Sequence, residues 1–233
     1  MTVLNWEMTA EHVIIFTDTL CLDGEDRRAR GFTTKVFPAP HIGMVIAGTG
    51  IAPIVTRFYM TVVGDLVVND VVHLSEFAPA ILRRSWEDMK SELWEGATVT
   101  IYTFGLSEDD GEFAGYAYRS TANFEAQPIG HGRAMKPVTS IEDLEAVDSL
   151  PAFVALARKQ QAQDRASPRN ERVGIGGDLW IYLLKKSEGG ALSLQIERME
   201  RMEHYDQDRE MSLAKLPQNA DHLRSRVIME RDP

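Results

Sequence analysis

The chain has 233 residues, a formal net charge of -10 and 44% hydrophobic residues. This composition is typical of a globular protein that buries a sizeable core, and its acidic balance argues against a nucleic-acid partner. Cys21 is the only cysteine, so an intrachain disulfide is excluded and a cysteine-based metal site is not expected. The six histidines have no His-x-x-x-His spacing, and we predict neither a metal nor another cofactor.

The sequence has no basic and apolar leader, and no apolar run approaches the roughly 18–20 residues that a membrane span requires. These features predict a soluble cytoplasmic protein without a membrane partner. Residues 1–198 are predicted to form one domain. Residues 199–233 are predicted to be a charged extension, helical or partly ordered, because they lack a clear core face.

Hydrophobic periodicity and turn residues predict strands and helices in separate blocks along the chain. The predicted strands are 3–8, 12–18, 35–37, 42–47, 98–104, 113–118, 179–184 and 192–196. The predicted helices are 51–64, 73–94, 140–146 and 150–160, with irregular segments at 120–140 and 161–171. Ser75 is a candidate cap of the second helix, and Gly48-Thr49-Gly50 is expected to end the fourth strand. This block order is typical of an α+β fold and argues against alternating βαβ units.

The first two predicted strands form a hairpin whose register decides what Thr2 faces. If the hairpin is centred on Ala10, opposed residues have numbers that sum to 20, and Thr2 faces Asp18. Opposed side chains on one face have Cβ atoms about 4.5–5.5 Å apart. This register therefore predicts that Thr2 lies beside the Asp18 carboxylate.

Thr2 would become the first residue if Met1 is removed, as cytosolic processing commonly does before a small residue. A threonine hydroxyl is a weak nucleophile until a base accepts its proton, and the α-amine of the same residue can be that base. An α-amine has a reference pKa near 8, which suits proton transfer at neutral pH. Lys35 begins the next short strand and is the candidate to tune this site electrostatically, with a carboxylate holding it in place. Such a site needs Thr2 Oγ and Lys35 Nζ within about 6 Å of each other.

The segment from Thr2 through Asp18 and Lys35 to Ile46-Ala47-Gly48-Thr49-Gly50 resembles the opening of proteasome β subunits and of the HslV-type bacterial peptidase. In that family a threonine, an aspartate sixteen residues on, a lysine and a glycine after the following strand form the catalytic group. The interval from Thr2 to Asp18 is also sixteen residues. The resemblance covers roughly residues 2–198 and is strong over 2–50.

The resemblance implies a four-layer αββα sandwich of the N-terminal-nucleophile hydrolase kind. It implies an N-terminal-threonine amide-bond hydrolase, a self-compartmentalised peptidase activated by removal of Met1. Its catalytic residues would be Thr2, Asp18 and Lys35, with the Gly48 N–H stabilising the oxyanion. Members form homo-oligomers, often stacked rings, that act on peptide or unfolded-protein substrates supplied by an ATPase cap.

Later positions depart from the family pattern. His131, within Gly130-His131-Gly132, stands where the family has serine and is a candidate proton relay, although a loop histidine with no role is the alternative. Arg172 and Ile175 replace an aspartate and a serine that assist the family's threonine. These departures favour a second hypothesis, a catalytically inactive structural or assembly subunit.

Gly48-Thr49-Gly50 also has a different interpretation, as a phosphate-binding turn before a helix. The run lacks the third glycine of a dinucleotide fingerprint and the Gly-Lys-Ser/Thr ending of a P-loop. We therefore favour the hydrolase interpretation over a nucleotide site.

Overall fold

The computed structural model of the chain describes residues 2–22, 24, 27–187 and 189–214. The described residues contain twelve β-strands and five α-helices, and the strands form three antiparallel sheets. Met1 and residues 215–233 lie outside them, so the predictions that concern Met1 removal and the end of the charged extension do too.

The first sheet contains the N-terminal strands and has the order β10-β1-β2-β11-β12. Its strands are β1 (Leu4–Met8), β2 (His12–Asp18), β10 (Gly132–Ala134), β11 (Asp178–Lys186) and β12 (Leu192–Arg201). The central strands β1, β2 and β11 carry most of its buried apolar side chains, which is why the continuous apolar run of β2 lies inside the molecule.

The β1–β2 hairpin corrects the predicted register by one residue. Leu4 pairs with Thr17 and Met8 with Val13, so opposed numbers sum to 21 and not to 20. The cause is the turn: the Thr9 N–H donates to the His12 carbonyl at 2.9 Å. The Thr9 hydroxyl also accepts the His12 N–H at 3.1 Å, which closes a turn around residues 10 and 11.

The second sheet has the order β5-β6-β7-β8-β9. Its strands are β5 (Val36–Ala39), β6 (Met44–Gly50), β7 (Val99–Leu106), β8 (Phe113–Arg119) and β9 (Gln127–Ile129). Gly48-Thr49-Gly50 does not end β6, as predicted, but continues it, because Gly50 still pairs with Val99 of β7. Strands β9 and β10 likewise lie in the segment 120–140 that was expected to be irregular.

The helices are α1 (Ala52–Gly64), α2 (Val71–Met89), α3 (Ile141–Glu145), α4 (Leu150–Ala166) and α5 (Tyr205–Ala214). Asp70 and not Ser75 caps α2, since its carboxylate accepts the His73 N–H at 2.7 Å. Ser75 lies inside the helix and donates to the Val72 carbonyl. Helix α4 extends through residues 161–166, which were predicted to be a loop.

The apolar core has three main parts, defined by the sheets that contribute to it. One part lies between the first and second sheets and includes Trp6, Ile15 and Phe104. A second lies between the second sheet and helices α1 and α2, and a third packs α4 against the first sheet through stacked rings of Phe16 and Phe153. Burial of this apolar surface is the main force holding the elements together.

The third sheet, β3 (Leu20–Leu22) with β4 (Ala29–Phe32), has no place in the predicted four-layer αββα sandwich. Helix α5 packs on it, with the rings of Phe32 and Tyr205 stacked at a centroid distance of 4.9 Å. The predicted fold class is therefore corrected: the described chain is α+β with three antiparallel sheets and five α-helices.

Helix α5 falls within the predicted extension 199–233, and β12 runs past its first residues to Arg201. None of the helices in the described ranges combines the length and the apolar character required to cross a membrane.

Candidate active site

Asp18, the last residue of β2, is completely buried and is the centre of the candidate site. Its Oδ1 accepts hydrogen bonds from the Thr2 hydroxyl, from the Val3 N–H at 3.0 Å and from Lys35 Nζ at 2.8 Å. Its Oδ2 accepts the Gly176 N–H at 3.0 Å. These four donors, one of them a charged ammonium, compensate the burial of the carboxylate.

The corrected hairpin register explains how Thr2 reaches this carboxylate. With opposed numbers summing to 21, Val3 is the residue opposite Asp18, and its N–H bonds to the carboxylate directly. Thr2 precedes β1, and its hydroxyl turns back to the same oxygen. The predicted contact between Thr2 and Asp18 thus occurs, but Thr2 is not the residue directly opposite Asp18 in the hairpin.

Lys35 immediately precedes β5, and its side chain is 8% exposed. Besides Asp18, its Nζ donates to the Leu20 carbonyl at 2.7 Å. Thr2 Oγ1 and Lys35 Nζ bond to one and the same oxygen, so they are at most about 6 Å apart, the sum of two ordinary hydrogen-bond lengths. The structure therefore brings Thr2, Asp18 and Lys35 together within the range in which charges influence one another.

A cavity of about 50 Å³ adjoins this group. Thr2, Lys35 and Gly48 line it together with Cys21 and Val55. Its volume holds a water molecule or a small functional group and is well below the roughly 300 Å³ of a typical ligand pocket. A substrate side chain would need the cavity to widen.

Gly48 lines the cavity, but its N–H donates to the Lys35 carbonyl at 3.0 Å. The predicted oxyanion donor is therefore already engaged within the sheet. A Cβ atom at this position would lie 2.4 Å from Val55 Cγ2. The structural reason for glycine here is the close packing of α1 against β6.

His131 is not brought together with Thr2. It lies between β9 and β10, where its Nε2 bonds to the Phe113 carbonyl at 2.8 Å. The cavity that it lines also contains Glu7 and Arg133 but not Thr2. The structure gives this histidine no position from which to relay protons at the candidate site.

Arg172 and Ile175, which replace two assisting residues of the family, both have structural roles away from Thr2. The Arg172 guanidinium donates to the carbonyls of Ser167 and Arg165 near the C-terminal end of α4. Ile175 is fully buried in an apolar cluster with Val3 and Leu179. Neither side chain makes a polar contact with Thr2 among the described residues, so the assisting groups expected from the resemblance are missing here.

Sequence reasoning missed Lys136, which lies beside the candidate site. Its Nζ donates to the hydroxyls of Thr49 at 2.9 Å and Thr100 at 3.2 Å, and Thr49 lines the Thr2 cavity. Burial, and to a lesser degree the Arg119 guanidinium, lowers the pKa of Lys136 to about 8. No local pattern in the sequence points to this lysine, because its partners are far away along the chain.

Sequence reasoning also missed the Gly176 N–H, which donates to Asp18 and belongs to the glycine-rich run Gly174-Ile175-Gly176-Gly177. Among the residues with described positions, no group of three or more His, Cys, Asp or Glu side chains could hold a metal ion.

Comparison with solved structures shows that the chain has a proteasome-like fold. Two solved structures that are similar to it are Anbu proteins, a distinct type of this fold. Anbu (ancestral beta-subunit) from Yersinia bercovieri is 12% identical with a TM-score of 0.56, covering 99% of this chain and 97% of that one. A Gly-1 mutant of Anbu from Hyphomicrobium sp. strain MC1 is also 12% identical with a TM-score of 0.59, covering 100% and 98%. At this identity the likeness concerns the fold alone.

These comparisons correct the resemblance to proteasome β subunits and the HslV-type peptidase. No protein-family model matches the chain, and no curated protein matches it either. Two similar solved structures are Anbu proteins. The resemblance of residues 2–50 to proteasome β subunits and the HslV-type peptidase therefore assigned the wrong family.

Proposed function

We propose that this chain is an amide-bond hydrolase, a peptidase, that uses Thr2 as its nucleophile once removal of Met1 exposes the Thr2 α-amine. One observation supports this above all others: a single buried oxygen, Asp18 Oδ1, receives the Thr2 hydroxyl, the Val3 N–H and the Lys35 ammonium. A hydroxyl fixed beside a lysine and a carboxylate is the arrangement that an activated nucleophile needs.

In the proposed reaction, Thr2 Oγ attacks the carbonyl carbon of the scissile amide. The Thr2 α-amine accepts the hydroxyl proton and passes it to the departing amine, leaving an ester between Thr2 and the acyl group. Water then attacks the ester, the α-amine again carries the proton, and the acid and free Thr2 are released. Lys35 stabilises the developing negative charge, and Asp18 holds Lys35 in place.

The Gly48 N–H has no role in this proposal, because it already donates to the Lys35 carbonyl. His131 has none either, since it bonds to the Phe113 carbonyl away from Thr2. The proposed catalytic residues are therefore Thr2, Asp18 and Lys35.

We also propose that the chain acts in the cytoplasm as a homo-oligomer on peptide or unfolded-protein substrates, with an ATPase as a candidate partner. The description of the Yersinia neighbour as an ancestral beta-subunit supports an assembled state. The cavity beside Thr2 is narrow in the single chain, and contacts with neighbouring subunits could complete the substrate site.

A second candidate function is a structural or assembly subunit without catalysis. The observations that favour it are the burial of Thr2, which is 1% exposed, and the cavity of only about 50 Å³. Both would keep a substrate carbonyl away from the hydroxyl in the state described.

Intact-mass measurement followed by an electrophilic threonine-protease probe separates the two functions. The hydrolase should lose one methionine on expression and then gain one probe mass at Thr2. Thr2→Ser should keep the label, Thr2→Ala should lose it, and Thr61→Ala, outside the cavity, should label like the wild type. Retention of Met1, or a processed chain in which Thr2→Ala labels as well as the wild type, would contradict the hydrolase and favour the structural subunit.

A further inference from the structure

A second cavity, of about 350 Å³, lies between the β3–β4 hairpin, the C-terminal end of α4 and helix α5. Five of the chain's 18 arginines line it: Arg27, Arg28, Arg165, Arg169 and Arg172. Leu20 and Leu22 of β3 line both this cavity and the Thr2 cavity. The arginine cavity therefore lies on the far side of β3 from the candidate active site.

Of the two acidic residues of the lining, only Asp208 forms an ion pair with one of these arginines. Asp164 is engaged by backbone donors and accepts the N–H groups of Val173 at 2.6 Å and of Gly174 and Ile175 at 3.1 Å. Asp208 pairs with Arg165 at 2.5 Å. Positive charge is thus concentrated at one place in a chain whose net charge is -10.

Several of these guanidinium groups have N–H donors that remain available to bind a ligand. Neither Arg27 nor Arg169 forms an ion pair with any residue in the described part of the chain. Arg172 is fixed by two backbone carbonyls, which use only part of its five N–H donors. One arginine is therefore rigidly placed, and two others can swing towards a ligand.

We infer that the arginine cavity binds a small phosphate-type oxyanion, such as inorganic phosphate, pyrophosphate or the phosphate group of a metabolite. The planar guanidinium fork matches phosphate oxygens in pairs, and such charge-assisted bonds are among the strongest in proteins. The cavity volume lies at the lower end of the range for ligand pockets. Its size and its charge both exceed what a single chloride ion would require.

Isothermal titration calorimetry of the full chain tests this inference, with phosphate, pyrophosphate and citrate as separate probes. We expect saturable binding of pyrophosphate with a Kd of about 1 mM or lower. The double variant Arg27→Gln/Arg169→Gln should raise that Kd at least about tenfold. Arg57→Gln/Arg83→Gln changes the net charge equally but lies outside the cavity, so its Kd should stay close to that of the wild type.

Three outcomes would overturn the inference. The first is the absence of saturable binding of either phosphate probe to the wild type. The second is equal weakening by both double variants, which would reveal only the general field of the protein. The third is equal or tighter binding of citrate, which would show a carboxylate site. The Thr2→Ala chain should bind pyrophosphate normally, so this result stands apart from the proposed hydrolase.

Discussion

Lys35 and Lys136 both carry an ammonium group into the interior near Thr2, but their surroundings differ. Lys35 meets the Asp18 carboxylate at 2.8 Å and a carbonyl at 2.7 Å. Lys136 meets only hydroxyl groups, those of Thr49 and Thr100, and lies over the ring of Tyr102 at 5.8 Å. No carboxylate in the described part of the chain pairs with it.

The comparison shows that the groups around a buried lysine decide what it can do: Lys35 has a carboxylate partner, whereas Lys136 has only hydroxyl partners. The Asp18 carboxylate compensates the burial of Lys35, and the ion pair places the ammonium group where it can orient a reacting group. Hydroxyls compensate Lys136 only in part, and its pKa falls to about 8. The charge of Lys136 therefore responds to pH near 8, although the sequence pointed to Lys35 and not to Lys136.

The largest expected effect comes from Lys35→Met. This change leaves Asp18 charged and unpaired in a fully buried position, which should lower the free energy of unfolding by about 3–5 kcal/mol. Lys136→Met is the matched control, because it removes a lysine that has no buried counter-charge, and it should change that free energy by less than about 1 kcal/mol. Urea unfolding of both variants measures the difference.

Lys35→Met should also abolish labelling of Thr2 in any fraction that stays folded, whereas Lys136→Met should retain it. Equal losses of stability in the two variants would contradict the distinction between the lysines.

A smaller effect is expected from Thr49→Val. Thr49 is 3% exposed and its hydroxyl accepts the shorter of the two Lys136 hydrogen bonds. Loss of a buried acceptor for a charged donor should lower the free energy of unfolding by about 2 kcal/mol. Thr49→Ser keeps the hydroxyl and should cost clearly less, as thermal or urea unfolding will show. A Ser variant as unstable as the Val variant would mean that packing and not the hydrogen bond matters there.

The smallest effect concerns pH. The pKa of Lys136 is lowered from 10.5 to about 8, so between these pH values the unfolded chain binds the proton more often than the folded chain does. The free energy of unfolding should therefore rise with pH across this window. Because Lys136 is only half-buried and partly screened, we expect a rise of about 1 kcal/mol.

Urea unfolding below pH 8 and above pH 10.5 measures that rise, and the difference between the wild type and Lys136→Met isolates it from the other titrating groups. A difference that is independent of pH would show that Lys136 keeps its ordinary pKa.

Much of the secondary structure could be predicted, because it depends on local patterns. Strand β2 begins and ends where its apolar run predicted, and α1 differs by one residue at its start. The α2 cap was assigned wrongly because Asp70 and Ser75 are both plausible caps by residue type. Which of them bonds to a free N–H depends on where the chain enters the helix.

The end of α4 could not be predicted, because its polar residues are buried by distant partners. Gln160 exchanges hydrogen bonds with Asn5, 155 residues away. Asp164 holds backbone groups of residues 173–175, and Gln161 donates to the carbonyls of Ile175 and Glu203. Taken locally, this stretch has the composition of a solvated loop.

The candidate site could be predicted only in part, because some of its contacts join residues that are far apart in the sequence. Thr2 and Asp18 lie at the two ends of the β1–β2 hairpin, so a hairpin argument could bring them near each other. Whether the Gly48 N–H is free depends on the pairing of β5 with β6, and composition alone does not determine this. The contribution of Gly176 to Asp18 joins residues 158 positions apart.

Through that last contact, the segment 173–176 connects the Asp164 carboxylate to the Asp18 carboxylate. Its first three N–H groups bond to Asp164, in the wall of the arginine cavity, and its fourth bonds to Asp18. Four consecutive residues are thus hydrogen-bonded to two buried carboxylates. A displacement of the Asp164 carboxylate would therefore change the position of the N–H group that bonds to Asp18. A ligand that shifts Asp164 would carry a coupling free energy to Thr2, and by reciprocity an acyl group on Thr2 would alter the affinity for that ligand by the same factor.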